Sequence, residues 1–539
     1  MIDEQFRLEV LDWIASDPDP LTAALLSKWL TENNEIELRK SFNGFLEFGT
    51  AGLRGPVRPG PSGMNRAVVG RTAAGIAAFL ISRGLSKVII GRDARHGSLE
   101  FAQESAEIFS GTGLEVYLLP RELPTPVLAF AVNELKMDCG IMVTASHNPP
   151  QDNGYKVYLG GTVDGIEYRG SQIVSPTDVS IAHKIDAITS LKSQPRGKEW
   201  TVLGEEIIEK YIDRTASLAT KPGSLRIVYT AMHGVGTETL QRVFLKAGFQ
   251  TPILVDAQAA PDPDFPTVAF PNPEEPGAID LALETAKSFD ADLVIANDPD
   301  ADRCAAAVKD PATGWRMLRG DELGAILGES IARKSQAGIF ANSIVSSSIL
   351  KKIAEHYQLE FKETLTGFKW LAKIKGLTFA YEEALGYAVD AKTVNDKDGI
   401  SAAITLAQIA TDLAADGKTL LDLLDEIWAR HGFHATEQIS IRLSDLSKVG
   451  VILGGLRNNP PQDIAGRAVT SIDDLAAPTD GLPPTDGLRI WLDGGVRIII
   501  RPSGTEAKMK CYIEVIEKDS KTAQVVLDQL RPPLKELLS

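Results

Sequence analysis

Continuous apolar runs, each bounded by polar loops, recur along this chain of 539 residues. Such runs are typical of buried strands, and they lie at residues 87–91, 115–119, 139–143, 226–230, 253–255 and 291–296. Helices are predicted between them at 98–111 and 237–248, with Ser98 and Thr237 as candidate N-caps. A weaker third copy of the pattern occupies residues 343–361. The recurrence of strand, loop, helix and strand predicts repeated α/β domains with mostly parallel sheets.

The two ends of the chain differ from this pattern. The first forty residues have helical spacing and predict an N-terminal extension, and residues 398–415 predict a long helix. Strands at 494–500 and 510–516 and a helix at 522–530 predict a smaller α+β domain, whereas residues 460–486 are predicted to be irregular. The predicted domains are residues 1–200, 201–308, 309–430 and 431–539.

Composition excludes some classes of function. The net charge of −16 disfavours non-specific binding to nucleic acid or to an anionic membrane. The N-terminus has no signal-peptide pattern, and no apolar stretch reaches the ~20 residues of a membrane span. The cysteines Cys139, Cys304 and Cys511 match no metal-site spacing, so we expect buried free thiols. These features predict a cytoplasmic protein with no nucleic-acid or membrane partner.

The loop from 144 to 156 contains the first group of candidate catalytic residues. It follows the apolar run at 139–143 and therefore lies at a strand end, where α/β folds usually bind their ligands. Ser146 supplies a hydroxyl, His147 a polar neighbour and Lys156 a proton-transfer group. A serine hydroxyl is a poor nucleophile alone, but it carries a phosphoryl group well if a metal and cations surround it.

The segment from Asn297 to Arg303 contains the second group. Asp298, Asp300 and Asp302 are spaced at i, i+2 and i+4, which would place all three on one side of an extended chain. Three converging carboxylates suit Mg²⁺, whereas a solvated acidic turn is the alternative. Arg303 adds a planar guanidinium suited to phosphate. The sequence therefore predicts a metal site beside a phosphate contact.

Further segments contain groups that bind phosphate or sugar. Residues 501–505 have the composition of an anion nest, and equally of a tight hairpin. The carboxylates of Glu382 and Glu383 either accept hydrogen bonds from a sugar or form a solvated rim. Residues 364–369 form a helix-start loop that is a candidate ligand contact, and Arg54 is a candidate phosphate contact.

Two common nucleotide-binding motifs are excluded. The glycine-rich stretch at 49–55 lacks the strand-then-helix context of a dinucleotide fingerprint. The chain has no Walker A sequence, which argues against a P-loop kinase. Of its seven histidines, only His147 lies beside candidate catalytic residues.

In their order along the chain, these segments resemble the α-D-phosphohexomutase superfamily. The resemblance covers nearly all of the chain from Phe48, and each loop marks one of the four domains of that family. Residues 48–55, 366–370 and 396–399 are most similar to its phosphoglucomutase-2/phosphopentomutase branch. The resemblance implies an α/β fold with three similar mixed or parallel-sheet domains and a smaller C-terminal α+β domain. It also implies a heart shape around a central cleft.

The resemblance also implies a reaction. Such an enzyme interconverts glucose 1-phosphate and glucose 6-phosphate through a phosphoserine, with Mg²⁺ as the metal and glucose 1,6-bisphosphate as activator and intermediate. It is an intramolecular phosphotransferase of the isomerase class, and it acts as a monomer or homodimer on a small phosphosugar. The catalytic residues would be Ser146, His147, Lys156 and Arg303, and the metal ligands Ser146, Asp298, Asp300 and Asp302. The substrate-binding residues would be Arg54, Thr366, Gly367, Glu382, Lys397, Arg501, Ser503, Gly504 and Thr505.

One departure from the family pattern bears on the sugar. Many hexose mutases have a serine two residues after Glu382, where this chain has Ala384. The missing hydroxyl removes a contact that contributes ~0.5–1.5 kcal/mol when buried, which leaves pentose phosphates open as substrates. The alternatives are a phosphopentomutase or phosphomannomutase, a glucose-1,6-bisphosphate synthase with a sugar bisphosphate donor, and a non-catalytic phosphosugar-binding regulator.

Overall fold

The computed structural model describes residues 2–49, 52–443, 445, 447–502 and 508–538. The chain divides into two compact units. The first unit consists of Met1–Leu318, Ala372–Lys375 and Leu385–Asp412, and the second of Arg319–Leu371, Gly376–Ala384 and Leu413–Ser539.

The first unit begins with the predicted helical extension, which forms α1 (Glu4–Ser16), α2 (Pro20–Thr31) and α3 (Glu35–Ser41). The side chains of Asp3, Asp19 and Asn34 accept hydrogen bonds from the first turns and so cap the three helices. Their apolar faces pack into a small core of Phe6, Val10, Leu26, Leu30 and Leu38. The prediction of an N-terminal helical extension is confirmed.

The first sheet lies next along the chain. The elements of this stretch are β1 (Leu53–Pro56), α4 (Arg66–Ile81), β2 (Lys87–Arg92), α5 (Ser98–Gly111), β3 (Glu115–Leu118), α6 (Thr125–Glu134), β4 (Cys139–Val143), β5 (Asp152–Leu159), β6 (Thr162–Val163), β7 (Ile166–Glu167), β8 (Ser171–Gln172), α7 (Thr177–Asp186) and β9 (Thr201–Val202). Strands β6 and β7 pair with each other in a separate two-stranded sheet. The strand order is β1-β5-β4-β2-β3-β9, with β8 beside β5. Strand β2 is parallel to β3 and β4, whereas β5 is antiparallel to β4 and β1. The sheet is therefore mixed.

The second sheet completes most of the first unit. Its elements are α8 (Glu206–Ala216), β10 (Ile227–Thr230), α9 (Gly236–Lys246), β11 (Ile253–Leu254), α10 (Asp256–Ala259), α11 (Asp280–Ser288), β12 (Leu293–Ala296), β13 (Ala305–Asp310) and β14 (Gly314–Met317). The order is β11-β10-β12-β13-β14. Strand β10 is parallel to β11 and β12, and β13 is antiparallel to β12 and β14. This arrangement repeats the parallel centre and antiparallel edge of the first sheet.

Both predicted N-caps in the first unit are wrong. Helix α5 begins at Ser98, and its N-cap is Gly97, whose φ of +80° is one that glycine adopts without strain. The Ser98 hydroxyl instead donates to Asp93 Oδ1 at 2.7 Å. Helix α9 begins at Gly236, and the Thr237 hydroxyl donates to the carbonyl of Ala259. In both cases the hydroxyl that the sequence assigned to a cap donates to an acceptor outside the helix.

The third sheet and the helices around it follow along the chain, beginning in the second unit. Its elements are α12 (Gly320–Lys334), β15 (Ile339–Ser343), α13 (Ile349–His356), β16 (Glu360–Thr364), α14 (Phe368–Leu371), β17 (Leu377–Glu382), β18 (Gly386–Ala388), α15 (Gly399–Ala415) and α16 (Leu420–His431). Strand β15 is parallel to both β16 and β17. This is the third copy that the sequence predicted. Strand β18 belongs to the first unit, where Gly386 forms a bridge with Arg303.

The C-terminal sheet is antiparallel throughout. Its elements are β19 (Phe433–Arg442), α17 (Ser447–Asn458), β20 (Asp463–Ile464), β21 (Arg467–Asp474), β22 (Leu488–Leu492), β23 (Val496–Pro502), β24 (Lys508–Glu517) and α18 (Ser520–Leu537). The order is β19-β24-β23-β22-β21-β20. The predicted strands and final helix are confirmed, but the irregular region at 460–486 is partly wrong because it contains β20 and β21. These strands lie at the sheet edge and carry few buried apolar residues, which weakens their sequence signal.

Two further predictions concern the whole chain. Cys139, Cys304 and Cys511 are buried free thiols, as predicted. Among the helices that the structure describes, none combines the length and the hydropathy that crossing a membrane requires. The predicted domain boundaries at 200, 308 and 430 stay a prediction, because the division into two compact units does not test them.

Candidate active site and metal centre

Ser146 lies in the loop that joins β4 to β5, beyond the carboxyl end of β4. The loop holds Ser146 at φ +52°, a left-handed conformation that non-glycine residues rarely adopt, and leaves it 3% exposed. Its Oγ donates a hydrogen bond of 2.7 Å to Asp298 Oδ2 and lies 3.2 Å from His147 Nδ1. The structure thus brings the two predicted groups together across 152 residues of sequence.

The three aspartates lie beyond the carboxyl end of β12, and all are buried. The predicted extended chain is wrong, because residues 298–301 form a turn in which Ala301 has a φ of +55° and its N–H donates to the carbonyl of Asp298. Asn297 fixes the ends of this turn by donating from Nδ2 to the carbonyl of Arg303 at 2.6 Å. The turn brings one carboxylate oxygen of each aspartate within 4.8 Å of the others.

Lys156 lies on β5, where Met142 of β4 is its partner in the antiparallel pairing. Its buried Nζ lies 2.6 Å from Asp300 Oδ2 and 2.8 Å from Asp302 Oδ2. Burial opposes the charge on Lys156, but the two carboxylates outweigh that effect and raise its pKa. Lys397, from the segment before α15, lies 3.4 Å from Asp302 Oδ2. Lys156 is therefore held as a cation beside the aspartates, and Lys397 lies next to the same cluster.

These aspartates fit a divalent cation. Asp300 Oδ1 and Asp302 Oδ1 are buried and have no hydrogen-bond donor among the residues that the structure describes, although buried oxygens are normally paired. Burial, together with the charges of Asp300 and Asp302, raises the pKa of Asp298 to about 8. Asp298 therefore resists ionising beside its two neighbours unless a further cation joins the cluster, and carboxylate oxygens are the ligands that Mg²⁺ prefers.

Two arginines and a histidine surround the serine. The Arg303 amide donates to Asp298 Oδ1 at 3.0 Å, and its Nε lies 3.9 Å from Asp298 Oδ2. Arg54, on β1, donates from a terminal nitrogen to Asn148 Oδ1 at 3.2 Å. Burial and then the charges of Arg303 and Arg54 hold the pKa of His147 well below its usual value. His147 is consequently a neutral imidazole at pH 7.

The predicted sugar-contacting residues lie in the second unit. The amide of Gly367, at φ +114°, donates to Glu382 Oε1 at 2.7 Å, and Thr366 lies directly before it. Glu383 Oε2 accepts hydrogen bonds from Ser346 at 2.9 Å and Ser343 at 3.2 Å. Burial, followed by the charge of Glu382, raises the pKa of Glu383 to about 7. The structure thus joins Thr366, Gly367 and Glu382 into one cluster.

The predicted phosphate loop is only partly described. Arg501 lies near the end of β23, where Lys510 of β24 is its partner. Ser503, Gly504 and Thr505 lie outside the described residues. The anion nest at 501–505 therefore stays a prediction.

Sequence reasoning missed residues that contact this site from elsewhere in the chain. The Thr125 hydroxyl, at the start of α6, donates to Asp300 Oδ2 at 2.6 Å. Arg95 donates to the carbonyl of Ser146 at 2.7 Å. Arg95 follows β2, which lies beside β4, so its position at the same sheet edge was a usable signal. Thr125 gave no such sequence signal, because nothing local distinguishes it from another threonine at the start of a helix.

Comparison with known proteins agrees with this geometry. The four domain models of the phosphoglucomutase/phosphomannomutase family match the chain in order. Alpha/beta/alpha domains I, II and III match residues 46–187, 209–314 and 319–431, and the C-terminal domain matches residues 457–530. Together these models cover most of the sequence. They also account for three similar domains followed by a different one.

Individual relatives carry different substrate names. A protein named "Probable phosphomannomutase" from Haemophilus influenzae is 48% identical over 88% of this chain and 98% of its own length. A phosphopentomutase from Mus musculus is 35% identical over 99% of this chain and 95% of its own length. A phosphoglucomutase/phosphomannomutase family protein from Burkholderia thailandensis has a similar structure, with a TM-score of 0.71, 20% identity, and coverage of 91% of this chain and 97% of that one. The predicted superfamily and the predicted domain types are confirmed, and the chain belongs to the phosphoglucomutase/phosphomannomutase family.

Proposed function

We propose that this phosphomutase interconverts glucose 1-phosphate and glucose 6-phosphate through a phosphorylated Ser146, with glucose 1,6-bisphosphate as the intermediate. The observation that carries the proposal is the hydrogen bond of 2.7 Å between Ser146 Oγ and Asp298, which belongs to a buried cluster of three carboxylates. A phosphoryl group on that oxygen would lie at a metal site and beside Lys156 and Arg303. Spread negative charge on a transferring phosphoryl group needs such an environment.

The proposed reaction has two symmetrical halves. In the first, the free hydroxyl of the sugar phosphate attacks the phosphorus on Ser146, the bond to Oγ breaks, and a bisphosphorylated sugar forms. The intermediate then turns around, and its other phosphoryl group returns to Ser146. Lys156, a cation by virtue of its raised pKa, is the proposed proton donor to the departing serine oxygen and the acceptor in the reverse step. In the first half the attacking sugar hydroxyl releases its proton to solvent, and in the second half the leaving sugar oxygen takes a proton from solvent, so the protons balance over the full cycle.

The remaining residues have proposed supporting roles. Asp298, Asp300, Asp302 and an oxygen of the phosphorylated Ser146 would hold Mg²⁺, which would neutralise charge on the phosphoryl group when bound. Neutral His147 would support the transfer at Ser146, and Arg303 would stabilise the phosphoryl oxygens. The proposed substrate contacts are Arg54, Thr366, Gly367, Glu382, Lys397, Arg501, Ser503, Gly504 and Thr505.

A pentose phosphate is the second candidate substrate. Ala384 lacks the hydroxyl that would contact a hexose, and the mouse relative that spans nearly the whole chain is named a phosphopentomutase. The relative from Haemophilus influenzae is named for mannose, so mannose 1-phosphate belongs in the same comparison. We propose glucose as the main substrate and ribose 1-phosphate as a further one. We also propose a cytoplasmic location and a monomer or homodimer.

The test is a direct assay of the purified protein with Mg²⁺ and a trace of glucose 1,6-bisphosphate. Glucose 1-phosphate, ribose 1-phosphate and mannose 1-phosphate are supplied in parallel, and formation of the isomeric phosphate is followed. Fast conversion of glucose 1-phosphate, lost in a folded Ser146→Ala variant, supports the proposal. In a further reaction that contains fructose 1,6-bisphosphate as the phosphoryl donor, release of glucose 1,6-bisphosphate without isomerisation indicates a bisphosphate synthase. Ligand-induced stabilisation without turnover indicates a regulator. Normal turnover by Ser146→Ala would contradict the phosphoserine route.

A further inference from the structure

The loop that carries Ser146 is folded around a single side chain, that of Arg95. The guanidinium of Arg95 donates to four backbone carbonyls of this loop, which are those of Ser146 at 2.7 Å, Asn148 at 2.6 Å, Pro149 at 2.8 Å and Asp152 at 3.0 Å. Arg95 is only 4% exposed. These bonds use both terminal nitrogens, so the planar guanidinium determines where four separate points of the loop lie.

The Arg95 side chain is itself held from two sides. Its Nε lies 3.4 Å from Asp93 Oδ2, and Asp93 Oδ1 accepts hydrogen bonds from the Arg95 amide and the Ser98 hydroxyl. On the other side, the ring of Phe265 lies 4.9 Å from the guanidinium carbon. Phe265 lies in the loop between α10 and α11 and has a φ of +46°. The guanidinium is therefore confined between an ion pair and an aromatic ring.

We propose that Arg95 is a positioning residue for the phosphoryl-carrying Ser146, acting through the backbone of the loop and not through contact with the substrate. The inference rests on the proposed function, because it concerns the same serine. Ser146 has the unfavourable φ of +52°, and its carbonyl is one of the four that Arg95 binds. Without these bonds the loop can relax toward ordinary backbone angles, which would move Oγ away from Asp298.

The chemistry makes this position critical. Phosphoryl transfer depends on placing the transferring group between the nucleophile and the stabilising charges. A displacement of about 1 Å at a reacting atom lowers a rate about 100-fold even when every catalytic group remains. Removing Arg95 should therefore lower kcat, whereas KM should change little, because Arg95 donates to the loop and not to the sugar.

Arg95→Lys and Arg95→Met are the variants that test the inference. Lysine retains the charge but cannot reach four carbonyls with a planar donor set, and methionine removes both charge and donors. We expect kcat to fall about 100-fold in both, with KM within about threefold of the wild-type value. Arg66→Lys is the matched control, since it weakens the two hydrogen bonds from Arg66 to the buried Glu104 without touching the loop.

Hydrogen exchange provides a readout independent of turnover. Peptides covering residues 144–156 should exchange faster in both Arg95 variants, whereas exchange there should be unchanged in Arg66→Lys. If kcat and loop exchange in Arg95→Lys match those of Arg66→Lys, the inference is wrong and Arg95 is only a structural ion pair. An inactive wild-type protein would instead count against the proposed function, and loop exchange would still decide the role of Arg95.

Phe265→Leu keeps the inference testable if both Arg95 variants fail to fold. This variant removes the stacked ring and no hydrogen bond, so the folded state should survive. A lower kcat with unchanged KM and faster exchange at 144–156 supports the positioning role. Wild-type values for both measurements would overturn it.

Discussion

Each compact unit buries carboxylates beside cations. The two clusters differ in whether every carboxylate oxygen has a hydrogen-bond or ion-pair partner. In the first unit, Asp298, Asp300 and Asp302 are 0–1% exposed, and two of their oxygens have no donor among the described residues. In the second unit, Glu514 is 3% exposed, and both of its oxygens are bound. Burial is therefore equal, and only the satisfaction of the oxygens differs.

Glu514 has the partners of a structural carboxylate. Its Oε1 accepts hydrogen bonds from the Ser347 hydroxyl at 2.6 Å, the Ser348 amide at 2.7 Å and His434 Nδ1 at 3.0 Å. Its Oε2 lies 2.9 Å from the guanidinium of Arg497. Burial acts to raise the pKa of Glu514, but Arg497 and His434 outweigh it and lower the pKa to about 2. The ionised form is thus stable with no further ligand.

The comparison teaches how a ligand site differs from a buried ion pair. The charge of Glu514 is balanced by the fold itself, whereas burial and then the charges of Asp300 and Asp302 raise the pKa of Asp298 to about 8. A fold that leaves converging buried oxygens unpaired has placed them for something outside the chain. The first cluster should consequently matter for activity, and the second for stability.

The largest expected effect is on turnover. Asp298→Asn should lower kcat about 1,000-fold, because it removes one metal ligand and weakens the electrostatic support of the phosphoryl group. In protein treated with a chelator, the same variant should keep the wild-type melting temperature, since asparagine resembles the protonated aspartate. Kinetics and thermal unfolding measure the two outcomes. A large fall in the melting temperature without metal would mean that Asp298 is a structural carboxylate after all.

The next effect is on stability in the second unit. Glu514→Gln should lower the free energy of unfolding by about 3 kcal/mol, because it removes the nearer and more deeply buried of the two carboxylates beside Arg497, the other being Glu363 at 3.6 Å. Glu437→Gln is the matched control, since Glu437 forms a similar pair with Arg531 at the surface, and there we expect about 1 kcal/mol or less. Urea unfolding of both variants makes the comparison. Equal losses would contradict the distinction between buried and exposed pairs.

Added metal should stabilise the folded protein by binding at the aspartate cluster of the first unit and not at Glu514. At about 100 times its dissociation constant, Mg²⁺ should stabilise the wild-type protein by about 2.7 kcal/mol if it binds the folded state alone. Glu514→Gln should show the same gain, and Asp298→Asn little or none. Thermal unfolding with and without Mg²⁺ measures this. An undiminished gain in Asp298→Asn would place the metal elsewhere.

The smallest effect is the acid response of Glu514. Its pKa in the folded state, about 2, lies below its usual value of 4.5, so its contribution is complete above 4.5 and is lost as the pH falls toward 2. At about pH 3.5 this amounts to a loss of about 1 kcal/mol. Glu514→Gln should not show this acid-dependent loss of unfolding free energy. Unfolding measured at pH 3.5 and at pH 6 tests this. Identical pH profiles for variant and wild type would exclude it.

Much of the fold and part of the site could be predicted because their signals are local. Buried strands are continuous apolar runs, and the residues that follow β4 and β12 are the polar groups at the carboxyl ends of those strands. This was enough to select Ser146, Lys156 and the three aspartates. The extended arrangement of the aspartates was wrong, because a positive φ at Ala301 folds the segment into a turn.

The remaining residues could not be selected, because their partners are distant in sequence. Thr125 is one of many threonines at helix starts, and only the fold brings it to Asp300, 175 residues away. The place of Arg95 after β2 was a usable signal that it lies at the same sheet edge, but only the folded loop shows four carbonyls around it. The Thr237 cap failed for a similar reason, since its hydroxyl donates to the carbonyl of Ala259, 22 residues away. The Ser98 cap failed for a local one, since its hydroxyl donates to Asp93, five residues before it.

The sequence by itself determined the elements, the domain types and the chemical groups at the strand ends, because periodicity and residue type are properties of neighbouring positions. Only the tertiary structure decided which carboxylates are satisfied. Asp300 and Glu514 are both buried acidic residues, and the sequence does not show which of their oxygens find donors. Their difference arises from donors that the fold brings from distant segments, because in a buried, poorly solvated site the available partners fix the charge that an oxygen can hold.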